Sequence, residues 1–246
     1  MTEVREITSF PELIEAVGGD PLPLWVGQGL APGHRAFALG GALAVSGADV
    51  ARANRLAIVG PPADAARLLP EALARTGHRF QPIGDAALIR ELAARVPGVG
   101  LRAEFGWMQT SAAPGAARTP TWLGSAADPE VTRFLDEVYP ASYARPGIPG
   151  VRRWAGLREP DGKLIAIAAD AWSAPTLGFL AGVAVAPGSR GSGHGARMCA
   201  GVLAELVEAY GTAALAVDEW NTGAIRMYRR LGLVYRPVAV AEANPA

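Results

Sequence analysis

The sequence predicts an α/β protein of α+β-like character. A mixed sheet flanked by helices is expected over residues 116–246, preceded by a second, smaller α/β domain over residues 1–115. Three observations carry this. In the second half, strand-like apolar runs come first and then alternate with helical periodicity, the order expected of a mixed sheet with helices on its faces. Residues 110–120 include Ser111, Ala112, Ala113, Pro114, Gly115, Ala116 and Ala117, a linker composition. The 246 residues, 50% of them hydrophobic, suffice for one large domain or two of roughly 100 to 150 residues.

Along the first half, Phe10 to Val17 reads as a short helix and Phe37 to Val50 as an apolar, Gly/Ala-rich stretch. Arg55 to Val59 reads as a strand stopped by Gly60-Pro61-Pro62. Asp64 to Arg75 has helical spacing, with Ala65, Leu68, Leu69, Ala72 and Leu73 on one side. Ala86 to Arg95 is a second helix, and Leu101 to Met108 a strand. In the second half, Pro129 to Tyr143 is predicted helical. Val151 to Leu157, Leu164 to Trp172 and Leu177 to Val185 are predicted strands, the first two joined by the turn Glu159-Pro160-Asp161-Gly162. A helix from Ser192 to Tyr210 aligns Cys199, Val202, Leu203, Leu206, Val207 and Tyr210. Ala213 to Val217 is a strand, Asn221 caps a helix to Arg230, and Leu233 to Val240 is the last strand.

Composition narrows the function classes. The net charge is zero, whereas nucleic-acid binders show a basic surplus. No run approaches a membrane span, and the first residues lack the pattern of a secretory signal. The expected location is therefore cytoplasmic. One cysteine and three scattered histidines give neither an intrachain disulfide nor a thiolate-rich metal site, so no metal is expected.

The chemistry concentrates in Ala184 to Gly195, which reads as a strand entering a tight turn that opens a helix. Gly193 and Gly195 remove side chains where phosphate oxygens approach backbone amides. Arg190 can add a charge-assisted contact. Ser192 can cap the helix or donate to phosphate. A dinucleotide fingerprint can be traced over Gly191-x-Gly193-x-x-Ala196. The order of elements disfavours that oxidoreductase reading, because the turn follows several strands and no acidic residue ends a second strand. About 25 residues on, Ala224, Ile225 and Tyr228 share one helix face. The ordinary alternatives are a turn using glycine for shape and a core tyrosine.

The two segments together resemble the GCN5-related N-acetyltransferase (GNAT) family. Val183-x-Val185-x-Pro187-x-x-Arg190-Gly191-x-Gly193-x-Gly195 is similar to its acyl-CoA motif. Leu215-x-Val217-x-x-x-Asn221-x-x-Ala224-x-x-x-Tyr228-x-x-x-Gly232-Leu233 is similar to its second motif. The resemblance covers about a quarter of the chain strongly. It implies the acyl-CoA N-acyltransferase fold with a splayed sheet, acetyl-CoA as cofactor, and a small-molecule or peptide amine as acceptor, in a monomer or homodimer. It implies that backbone groups of Val183 and Val185 bond the pantetheine arm. Amides of Arg190, Gly191, Ser192, Gly193, His194, Gly195 and Ala196 hold the pyrophosphate, Asn221 positions the site, and Tyr228 protonates the departing thiolate. A CoA-binding module without turnover is the alternative.

Many relatives place a glutamate on the strand before the turn, and Leu177 to Val185 carries no carboxylate. Asp170 and Glu219 are the candidate bases, each with the ordinary alternative of a solvated loop carboxylate. His194 is expected to act through its backbone, and Cys199 to pack inside its helix. The first half resembles a degenerate half of a tandem acetyltransferase, in which Pro61 and Pro62 remove two N–H donors. Phe105, Trp107, Met108, Gln109, Trp122, Trp154 and Trp172 are expected either to fill the core or to line the acceptor side.

Overall fold

A computed structural model describes residues 3–115 and 120–244. Residues 116–119 of the expected linker lie outside them. The chain divides into two units, 1–107 with 236–246, and 108–235.

The first unit runs β1 (Arg5–Ile7), α1 (Phe10–Ala16), α2 (Pro21–Gly27), β2 (Arg35–Leu39), β3 (Ala42–Val50), β4 (Ala53–Val59), α3 (Pro62–Thr76), β5 (Gln81–Asp85), α4 (Ala86–Arg95) and β6 (Val99–Thr110), the last three residues of β6 belonging to the second unit. The second continues β7 (Thr121–Leu123), α5 (Asp128–Val138), β8 (Val151–Arg158), β9 (Leu164–Ala171), β10 (Gly178–Val185), α6 (His194–Tyr210), β11 (Ala213–Val217) and α7 (Thr222–Arg230), and β12 (Val234–Ala243) closes the chain. Strands in the first unit lie in the order β1-β2-β3-β4-β5-β12-β6, those of the second in the order β11-β10-β9-β8-β7. Each unit repeats one sequence of elements: three strands in antiparallel succession, a helix, a strand parallel to the third, and another helix. The mixed α/β sheet flanked by helices is the predicted class.

β12 departs from the expected 116–246 boundary. It pairs antiparallel with β5, Val238 opposite Asp85 and Val240 opposite Ile83. Arg236 donates to both carboxylate oxygens of Asp20 at 2.8 and 3.0 Å, and the Asn244 amide donates to the Gly98 carbonyl at 2.8 Å. The apolar alternation of β12 fixes which face is buried but not which strand it joins. β5 was also unforeseen, because Gln81-Pro82-Ile83-Gly84-Asp85 carries three weak strand formers, Pro82, Gly84 and Asp85. α5 stops at Val138, short of Tyr143. Tyr139 leaves helical backbone at φ −151°, and the following Pro140 disfavours the helical region there.

In the second unit α6 packs its apolar stripe on the sheet. Met198, Cys199, Val202, Leu203 and Leu206 are buried with Ala155, Ala166, Ala168 and Leu180 beneath them. At 25 cal/mol per Å² of apolar area, each such large side chain stabilises by about 1.5–3 kcal/mol. No helix among the described residues is long and apolar enough to cross a membrane.

Candidate functional site

The site begins where β10 leaves β11. Among the described residues β10 and β11 pair in parallel only at Gly178–Ala213 and Phe179–Ala214, and beyond them the strands part. On its other side β10 stays in register with β9, Leu180 opposite Asp170 and Ala184 opposite Ile167. One extra β10 residue enters between Ala181 and Ala184. Gly182 sits in this bulge at φ +61°, with the Trp154 ring 2.5 Å and Ala144 3.3 Å from where a Cβ would stand. A bulge of this kind bends its strand. The Ala186 amide donates to the Ile165 carbonyl at 2.9 Å. By antiparallel alternation the backbone groups of Val185 face away from β9, toward the gap left by β11.

The turn follows. Gly191 and Gly193 have left-handed backbone, φ +79° and +78°, and nothing lies within 4 Å of their Cβ positions. Gly193 occupies the N-cap of α6, and no side chain caps the helix. Ser192, expected as a possible cap, is exposed instead. The first-turn amides of His194, Gly195 and Ala196 have no intrahelical partners. An uncapped helix start beneath open glycines suits an anion such as a phosphate. Arg190 donates its Nε to the Val185 carbonyl at 3.1 Å. It pins the turn to the end of β10 and takes one of the two backbone groups expected to meet a ligand. The His194 imidazole lies 3.4 Å from the Arg197 guanidinium on its own helix.

α7 supplies the phenol. Asn221 accepts from the Ala224 amide at 3.1 Å and caps the helix as expected. Tyr228 then turns inward and is 6% exposed. It shares a buried cluster with Cys199, itself fully buried. Burial raises the phenol well above its ordinary value of 10, with further contributions from Cys199, Tyr143 and Tyr139. Tyr228 therefore keeps its proton at neutral pH, as a proton donor must.

The two candidate bases are placed differently. Asp170 is 1% exposed and held by three donors. Ser173 Oγ donates to one carboxylate oxygen, and Arg153 Nε and Tyr210 Oη donate to the other, both at 3.3 Å. Tyr210 ends α6, a helix of 17 residues, so Asp170 sits about 25 Å along that helix from the turn. The carboxylate is thus a buried acceptor for three donors and not a solvated loop group. Glu219 is exposed on the loop between β11 and α7, beside the exposed Asp218.

Three neighbours of the phenol were not singled out for the site. Cys199 was read as packing. Tyr139 and Tyr143 were read as helix, yet both contribute to raising the Tyr228 phenol. Tyr143 also stacks on Trp172, with ring centroids 5.4 Å apart. No spacing connects residues 139 and 143 with 228; only the fold brings them together. Of the other rings, Trp107 packs on Trp25 at 5.4 Å in the first unit. Trp122 donates to Glu205 and lies under the Arg153 guanidinium at 3.6 Å. These two serve packing.

Solved structures share this architecture. A GCN5-related N-acetyltransferase from Sphaerobacter thermophilus is 18% identical with a TM-score of 0.60, over 100% of this chain and 96% of that one. One from Kribbella flavida is 20% identical with a TM-score of 0.57, over 87% and 90%. A tandem GNAT protein from the clavulanic acid biosynthesis pathway is 14% identical with a TM-score of 0.53, over the full length of both chains. At such identities the likeness is one of fold. No curated protein matches the sequence.

The mixed sheet, splayed beside a glycine-rich turn, defines the acetyltransferase fold of the GNAT type. Residues 121–233 match the acetyltransferase (GNAT) family.

Proposed function

We propose that this chain is an acetyl-CoA-dependent N-acetyltransferase that acylates a primary amine of a small molecule or peptide by direct attack. The observation that carries the reading is the parting of β10 from β11 beside an uncapped α6, with the protonated phenol of Tyr228 among the neighbouring side chains.

The residues present fit the cofactor. The amides from Arg190 to Ala196 would hold its diphosphate, because the turn is open above Gly191 and Gly193 and the helix start carries no cap. Val183 and the free amide of Val185 would meet the pantetheine arm along the unpaired edge of β10. When bound, acetyl-CoA would supply an activated acyl carbon for the amine. Tyr228, which keeps its proton at neutral pH, would be the residue that holds the proton needed by the leaving thiol. Val183, Val185 and the turn fix the position of the acyl group, which removes part of the entropic barrier. Glu219, with Asp218 beside it just past β11, draws a protonated amine to the mouth of the gap and takes its surplus proton through water.

The first unit reads as a second copy without a cofactor. Its equivalent turn begins Gly60-Pro61-Pro62, and Pro61 and Pro62 lack the N–H groups a phosphate needs. Asp64, in the first turn of α3, accepts from the Gly41 amide at 2.9 Å and puts negative charge where an anion would sit.

Titration calorimetry with acetyl-CoA and with NAD(P)H, followed by thiol release across an amine panel, tests this. Acetyl-CoA binding with amine-dependent thiol release is expected. Binding without release from any amine would leave a CoA-binding module, and preference for NAD(P)H would overturn the cofactor.

A further inference from the structure

The bulge in β10 meets a side chain from two strands away. Trp154 on β8 stands opposite Ala169 on β9, and Ala169 stands opposite Ala181 on β10. Both of those side chains are single methyl groups, so the indole can lie across β9 and reach the bulged strand. Cη2 and Cζ3 of its outer ring come to 2.5 and 2.8 Å from where a Cβ of Gly182 would stand, with the Ala144 methyl at 3.3 Å. Trp154 is 3% exposed, and its Nε1 has no hydrogen-bond partner among the described residues. A buried indole N–H ordinarily finds a partner, and leaving it without one has a cost. A phenyl ring at this position would avoid that cost, so what the indole contributes is its reach. That reach fills the hollow left by the missing side chain of Gly182.

We infer that Trp154 sets the acyl specificity: its outer ring closes the hollow at Gly182, so that the site takes an acetyl group and excludes longer acyl chains. The inference rests on the proposed binding of acetyl-CoA. β10 loses β11 after Phe179, and the glycine-rich turn follows Val185 at the other end of the strand. A cofactor held by its diphosphate at the turn extends its arm back along the open edge of β10. At about 3.3 Å per residue, Gly182 lies about 10 Å from Val185 along that edge, so the acyl end of the arm arrives at the bulge. No side chain of Gly182 stands there, and the space is taken by Trp154 and Ala144 instead. An acetyl group ends in one methyl. A butyryl group adds two methylenes, which need the volume the indole occupies, and a close-packed interior does not yield that volume without strain.

Calorimetry of the full chain with acetyl-CoA and with butyryl-CoA tests this, with no acceptor present. The wild type is expected to bind acetyl-CoA at least about 5-fold more tightly than butyryl-CoA, the lower end of what overpacking costs. Trp154→Phe, which gives up no hydrogen bond, is expected to bind butyryl-CoA more tightly than the wild type does. The ratio of the two affinities should narrow about 4-fold for each methylene the variant accommodates. A variant whose fold is merely loosened would bind both ligands more weakly, so the gain for butyryl-CoA separates a specificity role from a structural one. Should Trp154→Phe fail to fold, Trp154→Met replaces it with a flexible side chain that fills irregular space. A wild type that binds neither acyl-CoA overturns the cofactor reading and this inference with it. A wild type that binds both equally, or a folded variant that keeps the wild-type ratio, overturns the role of Trp154 and leaves the cofactor reading standing.

Discussion

Gly182 and Trp154 fit only because Gly182 has no side chain. A Cβ there would stand 2.5 Å from Cη2 of the indole, and the backbone is at φ +61°. Left-handed backbone costs a non-glycine residue about 1–2 kcal/mol, and overpacking adds about 1–3 kcal/mol. Gly182→Ala should therefore lower the thermal midpoint by roughly 4–20 °C, given about 2–4 °C per kcal/mol for a chain of this size. Acetyl-CoA affinity should fall with it, since the bulge sets the path of β10 beside the gap. Thermal unfolding and calorimetry check both. A midpoint equal to wild type would show that the indole gives way without cost.

Gly195 gives the cleaner probe of the turn. Its backbone is not left-handed, and a Cβ would meet only Val185 at 3.4 Å and Met227 at 3.8 Å, both ordinary contacts. Gly195→Ala should unfold like wild type and bind acetyl-CoA within a few-fold. Gly195→Glu places a negative charge at the uncapped start of α6, where a diphosphate would lie, and should weaken acetyl-CoA binding at least 10-fold. Equal calorimetric affinity in wild type and Gly195→Glu would move the diphosphate elsewhere.

The second unit was the more legible half. Its strands and helices were marked by uninterrupted apolar runs and by glycines at φ > 0, and Asn221 announced the start of α7. Two things were out of reach. Pairing partners are not written in periodicity: nothing in Val234–Ala243 says that it will lie beside Gln81–Asp85. The surroundings of Tyr228 are likewise tertiary. Cys199 lies a turn into α6, and Tyr139 and Tyr143 follow the end of a different helix. The burial of Asp170 was out of reach for a related reason. A carboxylate near a strand end looks available until Arg153, Ser173 and Tyr210, from three separate elements, are seen to converge on it.

That convergence makes Asp170 a test of stability against chemistry. In Asp170→Asn the amide can still accept, but its NH₂ faces donors already aimed at the carboxylate. A loss of about 1–3 kcal/mol is expected, as for a buried group left with mismatched partners. Turnover should stay within a few-fold of wild type at a temperature where both proteins are folded. Denaturant unfolding and thiol-release kinetics separate the two. A fall of 100-fold or more in kcat with unchanged stability would make Asp170 the base after all.

The burial of Cys199 sets an alkaline limit on stability. In the unfolded chain the thiol titrates near 9, and burial pushes it up to about 12 in the folded protein, with the interaction with Tyr228 partly opposing the rise. Between these values the unfolded chain binds fewer protons than the folded one, so stability falls as pH rises. The full slope is about 1.4 kcal/mol per pH unit. Tyr228, also raised by burial, adds to the loss above pH 10. Serine does not titrate in this range, so Cys199→Ser removes the thiol's share and keeps that of the phenol. The stability difference between wild type and Cys199→Ser, measured by urea unfolding at intervals from pH 7 to 11, should be flat below pH 8. Above pH 9 it should shift steadily against wild type. A difference that stays flat through pH 11 would mean that the folded protein ionises this thiol as readily as the unfolded chain does.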